Sequence, residues 1–146
     1  MFHQYEHYIN KCRHRFLDER FEKLRLKSPD GFLLVRIDKA KVLKMSQLIA
    51  ELPFHKSHVT RAIFRLHRQG MVTKTADPED LRGYILKITP LGEKTATEVI
   101  GAINDWDNLV NSALTKDEIA LIEKTREKIY LFLKNYFEED TDEKNT

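Results

Sequence analysis

The chain has little cysteine, glycine or proline, and each shortage excludes something. Its one cysteine, Cys12, in 146 residues rules out an intramolecular disulfide framework. Five glycines and four prolines argue against long linkers and against an all-β architecture. No apolar run approaches the length of a membrane span. The N-terminal stretch MFHQYEHYINKCRHRF lacks the apolar centre of a secretory signal, so a soluble cytoplasmic protein is expected. There is no Gly-rich phosphate loop, no serine-nucleophile motif and no metal-ligand spacing of a strong type. The carboxylates are scattered, so neither an enzyme nor a bound cofactor is expected. His3 and His7 stand one helical turn apart with His14 two turns further on, but nothing completes a metal site around them.

The most telling absence is local. From Pro53 to Ala76 there is no Asp or Glu, while the same segment carries Lys56, Arg61, Arg65, Arg68 and Lys74. The net charge of +2 conceals this, because acids gather elsewhere, notably at Glu138, Glu139, Asp140, Asp142 and Glu143. Such a run reads as a solvated end, or as a screen against non-specific contact with nucleic acid. A charged fraction of 33% fits long solvated helices around a modest core, and this length suits a single domain.

Hydrophobic periodicity predicts the elements. A first helix is expected over about Phe2 to Leu24, with Tyr5, Ile9, Cys12, Phe16 and Phe21 as its apolar stripe. Ser28 is expected to cap a second helix, with Pro29 at its first position, and Phe32, Leu33, Leu34, Val35 and Ile37 place that helix at the centre of the core. A short third helix carries Leu48, Ile49 and Leu52 and stops at Pro53. A fourth starts near His55 or Lys56 and ends at Gly70. Met71 to Thr75 and Tyr84 to Thr89 alternate as strands around a long turn, ADPEDLRG. Thr89-Pro90 opens a fifth helix, with Ala96, Val99, Ile100, Ile103, Trp106 and Val110 on one stripe. Thr115 and Glu118 form a capping box for a last helix bearing Ile119, Ile122, Ile129, Phe132, Leu133, Tyr136 and Phe137.

At about 100° per residue, Val59, Ala62, Ile63 and Leu66 fall on one side of the fourth helix. Ser57, Thr60, Arg61, Phe64 and Arg68 fall on the other. An arginine fork matches the guanine edge in the major groove, and serine or threonine takes a base edge or a phosphate. Lys56 at the helix start adds its charge to the positive end of the helix dipole. His55, His58 and His67 read as phosphate-facing or structural groups. Phe64 is anomalous on this face: contact with a thymine methyl, packing under the hairpin and exposure to solvent all remain open. Asp80 and Arg82, two apart on the hairpin, point the same way in an extended segment. An arginine there suits a narrow minor groove, and an aspartate can hold it or pin the hairpin to a basic residue of the fourth helix.

The run KSHVTRAIFRLHRQGMV, followed by DPEDLRG and LKITPLGEK, resembles the MarR family of bacterial winged-helix transcriptional regulators. The matching positions are Lys56, Ser57, Val59, Thr60, Arg61, Leu66, Gly70, Val72, Asp80, Arg82, Gly83, Thr89 and Gly92. The resemblance implies a mainly α fold with a small β-hairpin wing. It implies one MarR-type domain over 1–146, with a DNA-binding lobe over about 28–92 and dimerisation helices over about 2–24 and 90–137. It further implies a homodimer bound as a repressor to a pseudo-palindromic operator in double-stranded DNA. The recognition-helix residues would be Lys56, Ser57, His58, Thr60, Arg61, Arg65 and Arg68, with Arg65 mainly neutralising phosphate, and the wing residues Lys74, Asp80 and Arg82. Three departures stand out: Pro53 where glycine is common, His55 where an aspartate or serine often caps the recognition helix, and Phe64 in place of a polar residue.

Members of that family often release DNA when a small aromatic or lipophilic effector enters the cleft between dimer helices and DNA lobe, and some sense oxidants through a cysteine in the first helix. Cys12, flanked by Lys11, Arg13, His14 and Arg15, is the candidate redox sensor, although its place on the apolar stripe fits inert packing. The alternative from another class is a winged helix devoted to protein–protein contacts.

Overall fold

The structure, a computed structural model, describes the backbone of residues 2–52 and 54–144 and the side chains of residues 3–52 and 54–137. Pro53 and the acidic side chains from Glu138 onward lie outside the described residues. In chain order the elements are α1 (Phe2–Lys23), α2 (Ser28–Ala40), β1 (Val42–Lys44), α3 (Met45–Glu51), α4 (Lys56–Arg68), β2 (Val72–Asp77), β3 (Asp80–Ile88), α5 (Pro90–Asn111) and α6 (Lys116–Lys144). The three strands form one antiparallel sheet in the order β1-β3-β2. Two compact units emerge, Met1–Trp106 and Asp107–Thr146.

The core of the first unit contains the α2 and α4 faces the periodicity foretold. Leu33, Leu34 and Ile37 of α2 are fully buried, and Leu48, Val59, Ala62, Ile63 and Leu66 close over them from α3 and α4. From α5, Ala96, Val99, Ala102 and Trp106 are buried, while Ile100 is exposed. On α1 the burial is concentrated at the C-terminal end. Leu17 and Phe21 are buried, Cys12 and Phe16 half-buried, and Tyr5 and Ile9 exposed. A tie between α1 and α5 extends this core: Phe16 meets Trp106 at a ring separation of 5.5 Å, and Arg20 lies over Phe16 while pairing with Asp105.

Several boundaries differ from the sequence reading. Lys27, not Ser28, is the residue before α2, and the Ser28 hydroxyl is buried inside the first turn without a partner among the described residues. The strand β1 was not foreseen, because three residues carry no periodicity, yet Val42, Leu43 and Lys44 pair with Lys87, Leu86 and Ile85. The hairpin tip is short. Strands β2 and β3 run on to Asp77 and Asp80, so only Pro78 and Glu79 connect them.

Two junctions fix how α4 and α5 meet the sheet. Helix α4 ends in a Schellman arrangement, with Met71 N donating to Leu66 O (3.0 Å) and Gly70 N to His67 O (3.0 Å). Gly70 there has φ of +75°, which glycine adopts at no steric cost. Thr89 then caps α5: its hydroxyl donates to Gly70 O (2.6 Å) and accepts from Gly92 N (3.0 Å), and its own N donates to Met71 O (3.1 Å). In the second unit the expected capping box is present, with Thr115 N donating to Glu118 Oε2 (3.0 Å) and Glu118 N to Thr115 Oγ1 (3.2 Å). Helix α6 exposes Ile129, Phe132, Leu133, Tyr136 and Phe137.

Candidate nucleic-acid interface

Helix α4 presents its buried and exposed faces as the 3.6-residue period requires. Val59, Ala62, Ile63 and Leu66 face the core, and Lys56, Ser57, His58, Thr60, Arg61, Phe64 and Arg68 are exposed. His55 proves to be a working cap. Its Nδ1 accepts from Ser57 N at 3.2 Å and lies 2.8 Å from Ser57 Oγ, so the ring takes the place of the aspartate or serine the sequence lacks. The Thr60 hydroxyl donates back to Lys56 O at 2.8 Å, which leaves its lone pairs and methyl outward. Arg61 comes within 3.5 Å of His58 Nδ1. No ion-pair partner is found for Lys56, Arg61, Arg68 or Arg82 among the described residues.

Arg65 departs from the role expected of it. Its Nε and Nη2 donate to the two carboxylate oxygens of Asp30, each at 2.7 Å. The Asp30 side chain is 2% exposed and that of Arg65 34%. The bidentate fork therefore clamps the first turn of α2 to the last turn of α4, so this arginine's charge is met largely within the protein. The hydrogen bonds to Asp30 chiefly raise the guanidinium pKa above its ordinary value, with Coulomb attraction adding to them and desolvation opposing. A basic group with a raised pKa contributes stability that is complete below the ordinary value and is lost only as pH rises through the raised one. The arginine side of the clamp is thus constant at any physiological pH. Asp30 went unnoticed in the sequence because an acid near a helix start is usually a solvated dipole partner.

The wing is pinned at its tip by Lys44. Asp77, 4% exposed, accepts from Glu79 N at 2.9 Å and lies 3.6 Å from Lys44 Nζ, while Lys44 also donates to Glu79 at 2.9 Å. The Glu79 hydrogen bond, followed by the charges of Asp77 and Glu79, raises the Lys44 pKa, so this lysine too stays charged throughout the neutral range. Asp80 does not hold the Arg82 guanidinium. Its Oδ1 accepts from Arg82 backbone N at 3.1 Å, a local turn that leaves the arginine side chain projecting and exposed. Lys74 is half-buried with its ammonium 3.9 Å from the centre of the Tyr84 ring, a cation–π contact across the two strands. His67 Nδ1 meets Val72 O at 3.1 Å, a structural contact between α4 and β2.

A cavity of about 310 Å³ opens beside α4, lined by Pro29, Leu33, Phe54, His58, Val59 and Arg65. It lies within the lobe, between α2, α4 and the turn before α4. Among the described residues no group of three metal-ligating side chains occurs, and no helix is long and apolar enough to cross a membrane.

Residues 26–84 match the model of the MarR family. Over 87 residues the chain is 29% identical to the HTH-type transcriptional regulator BilQ of Clostridioides difficile, an alignment covering 60% of this chain and 59% of that protein. A mutant MarR from E. coli, solved in complex with operator DNA, is 25% identical and superposes with a TM-score of 0.75, covering 86% of this chain and 91% of that one. Over the matched stretch the chain is similar to the MarR family. A MarR protein from Peptoclostridium difficile shares the fold more closely, with a TM-score of 0.82 at 23% identity over 90% of this chain and 86% of that chain. The chain spans about 59% of the length of the curated regulator it matches. The family model ends at position 84, so it takes in α2 to the first half of β3, including α4 and Arg82.

Proposed function

We propose that this protein is a sequence-specific DNA-binding transcriptional regulator of the MarR family, acting as a homodimeric repressor on a pseudo-palindromic operator. The observation that carries the reading is the outer face of α4: acid-free, exposed, and holding Lys56, Arg61 and Arg68 without ion-pair partners among the described residues. A helix of this kind fits the major groove, where Ser57, Thr60 and Arg61 would meet base edges. Lys56 and Arg68 would neutralise phosphates, with Arg65 and Lys74 contributing only what their internal contacts leave available. Arg82, projecting from a pinned wing, would enter the adjacent minor groove.

Exposed apolar side chains on α1 and α6, among them Tyr5, Ile9, Ile129, Phe132 and Leu133, support a homodimer. We read residues 1–146 as one MarR-type domain in that dimer. Release by a small aromatic or lipophilic effector belongs to the same proposal. The cavity beside α4 has an apolar lining and about 310 Å³ of space, near the lower end of small-molecule sites.

The deciding experiment is binding of the purified protein to duplexes from upstream of its own gene, against scrambled duplex, at low and near-physiological salt. Preference for the upstream duplex that persists as salt rises supports a regulator. Weak binding to both, lost equally with salt, leaves only a basic surface. Absent or salt-insensitive binding favours a protein–protein module. Within the regulator reading, Arg82→Ala is expected to weaken operator binding by on the order of tenfold with the dimer intact, as seen by gel shift and sedimentation. Unchanged affinity would remove the wing from the interface. Arg61→Ala is expected to relax preference at one base position, worth roughly 1–3 kcal/mol, in a competition series of single-base operator variants.

A further inference from the structure

Phe64 is 59% exposed on a helix whose other outward side chains are polar or cationic. It takes no part in the hydrophobic core and is not among the half-buried residues packed against it, so it does not lie under the hairpin. Its position is central rather than peripheral. Thr60, Arg61, Phe64 and Arg68 follow one another at helical spacing along a single face, with position 64 between the two arginines. A large apolar side chain held in water at that point gains nothing for the free protein, because burial is what makes an aromatic ring favourable. It gains on contact with a flat surface that carries both phosphate charge and an apolar feature. The major groove offers one such feature, the 5-methyl group of thymine, which apolar groups such as a phenylalanine ring contact.

Resting on the DNA-reading role proposed above, we infer that Phe64 is a specificity-determining residue that selects thymine in the operator by contact with its 5-methyl group. Arg61 and Thr60 on the preceding turn would read polar edges of neighbouring bases, so this face combines a hydrogen-bonding reader with an apolar one.

The test removes the methyl and nothing else. A duplex selected by the full-length protein from a random library is resynthesised with each thymine replaced singly by deoxyuridine, which preserves base pairing. Wild-type protein is expected to lose roughly three- to fivefold in affinity at one or two thymines per half-site, about the worth of one buried methyl. Phe64→Ala is expected to bind the parent duplex with the same loss and to be indifferent to the methyl at those positions. Because the ring lies outside the core, the variant keeps the wild-type melting temperature. The inference is overturned if no single replacement changes the affinity. It is equally overturned if Phe64→Ala retains the wild-type discrimination, which would assign the methyl contact to another side chain such as Thr60. Selection that yields no preferred sequence at all overturns the DNA-reading role itself, and this inference with it.

Discussion

Replacing Gly92 by alanine is expected to destabilise the winged-helix lobe by about 3 kcal/mol or more, at the upper end of what overpacking costs. The reason is a backbone contact. A Cβ at position 92 would lie 2.1 Å from Met71 O and 2.7 Å from Ile88 Cδ1. The isoleucine terminus can rotate away, but the carbonyl cannot, because Met71 O already accepts from Thr89 N at 3.1 Å while the Thr89 hydroxyl holds Gly70 O. Relief therefore requires separating the first turn of α5 from the start of β2. Elsewhere in a helix the same substitution is favourable by about 1 kcal/mol, since alanine is the better helix former. Gly101, further along α5, supplies the control, for a Cβ there meets nothing within 4 Å. Thermal unfolding followed by circular dichroism should show Gly92→Ala melting roughly 10 °C below wild type, with Gly101→Ala unchanged or slightly higher. Equal melting temperatures for Gly92→Ala and wild type would mean that the close approach is not maintained in solution.

The second large effect concerns the Asp30–Arg65 clamp. Arg65→Ala leaves the Asp30 carboxylate buried without its counter-ion, and breaking such a pair costs about 3–5 kcal/mol. The lower figure is expected here, because the arginine side chain is 34% exposed and water can reach part of the vacated space. Urea denaturation of the single variant should show that loss. The double variant Asp30→Leu with Arg65→Met should recover most of it, since exchanging a buried pair for apolar groups of similar size is often neutral. If Arg65→Ala is as stable as wild type, the clamp contributes no net stability and only orients α4. A double variant no better than the single would instead indicate that Asp30 has essential partners besides Arg65.

Much of this fold was legible in the residues. The buried face of α4, the central position of α2, the hairpin and the Thr115–Glu118 box all follow from spacing and from local chemistry that involves neighbours within one or two turns. The resemblance to the MarR family could be read for the same reason, because the motif lies in a continuous stretch from α3 to α5. What failed to appear depended on partners distant in the chain. Asp30 and Arg65 are 35 positions apart, and nothing in SPDGF marks the aspartate as buried. Lys44 and Glu79 are likewise 35 apart, joined only because β1 adds to the edge of β3. The hairpin tip was drawn too long because Asp77 and Asp80 disfavour strands by propensity, whereas pairing and the Lys44 contact overrode that tendency.

By itself the sequence determined where the basic surface lies, since a segment without acids on an amphipathic helix presents cations and no acids outward. It likewise determined which residues of α4 are available to a groove, because helical geometry fixes the faces once the apolar stripe is buried. The tertiary structure decided which of those cations remain available. Arg65 is held by a buried carboxylate and Lys74 by an aromatic ring, while Arg61, Arg68 and Arg82 are left with no ion-pair partner among the described residues. Tertiary structure also decided that Phe64 stands clear of the hairpin. Periodicity assigns a side chain to a face; whether its charge or its apolar surface is satisfied depends on what the rest of the chain brings against it.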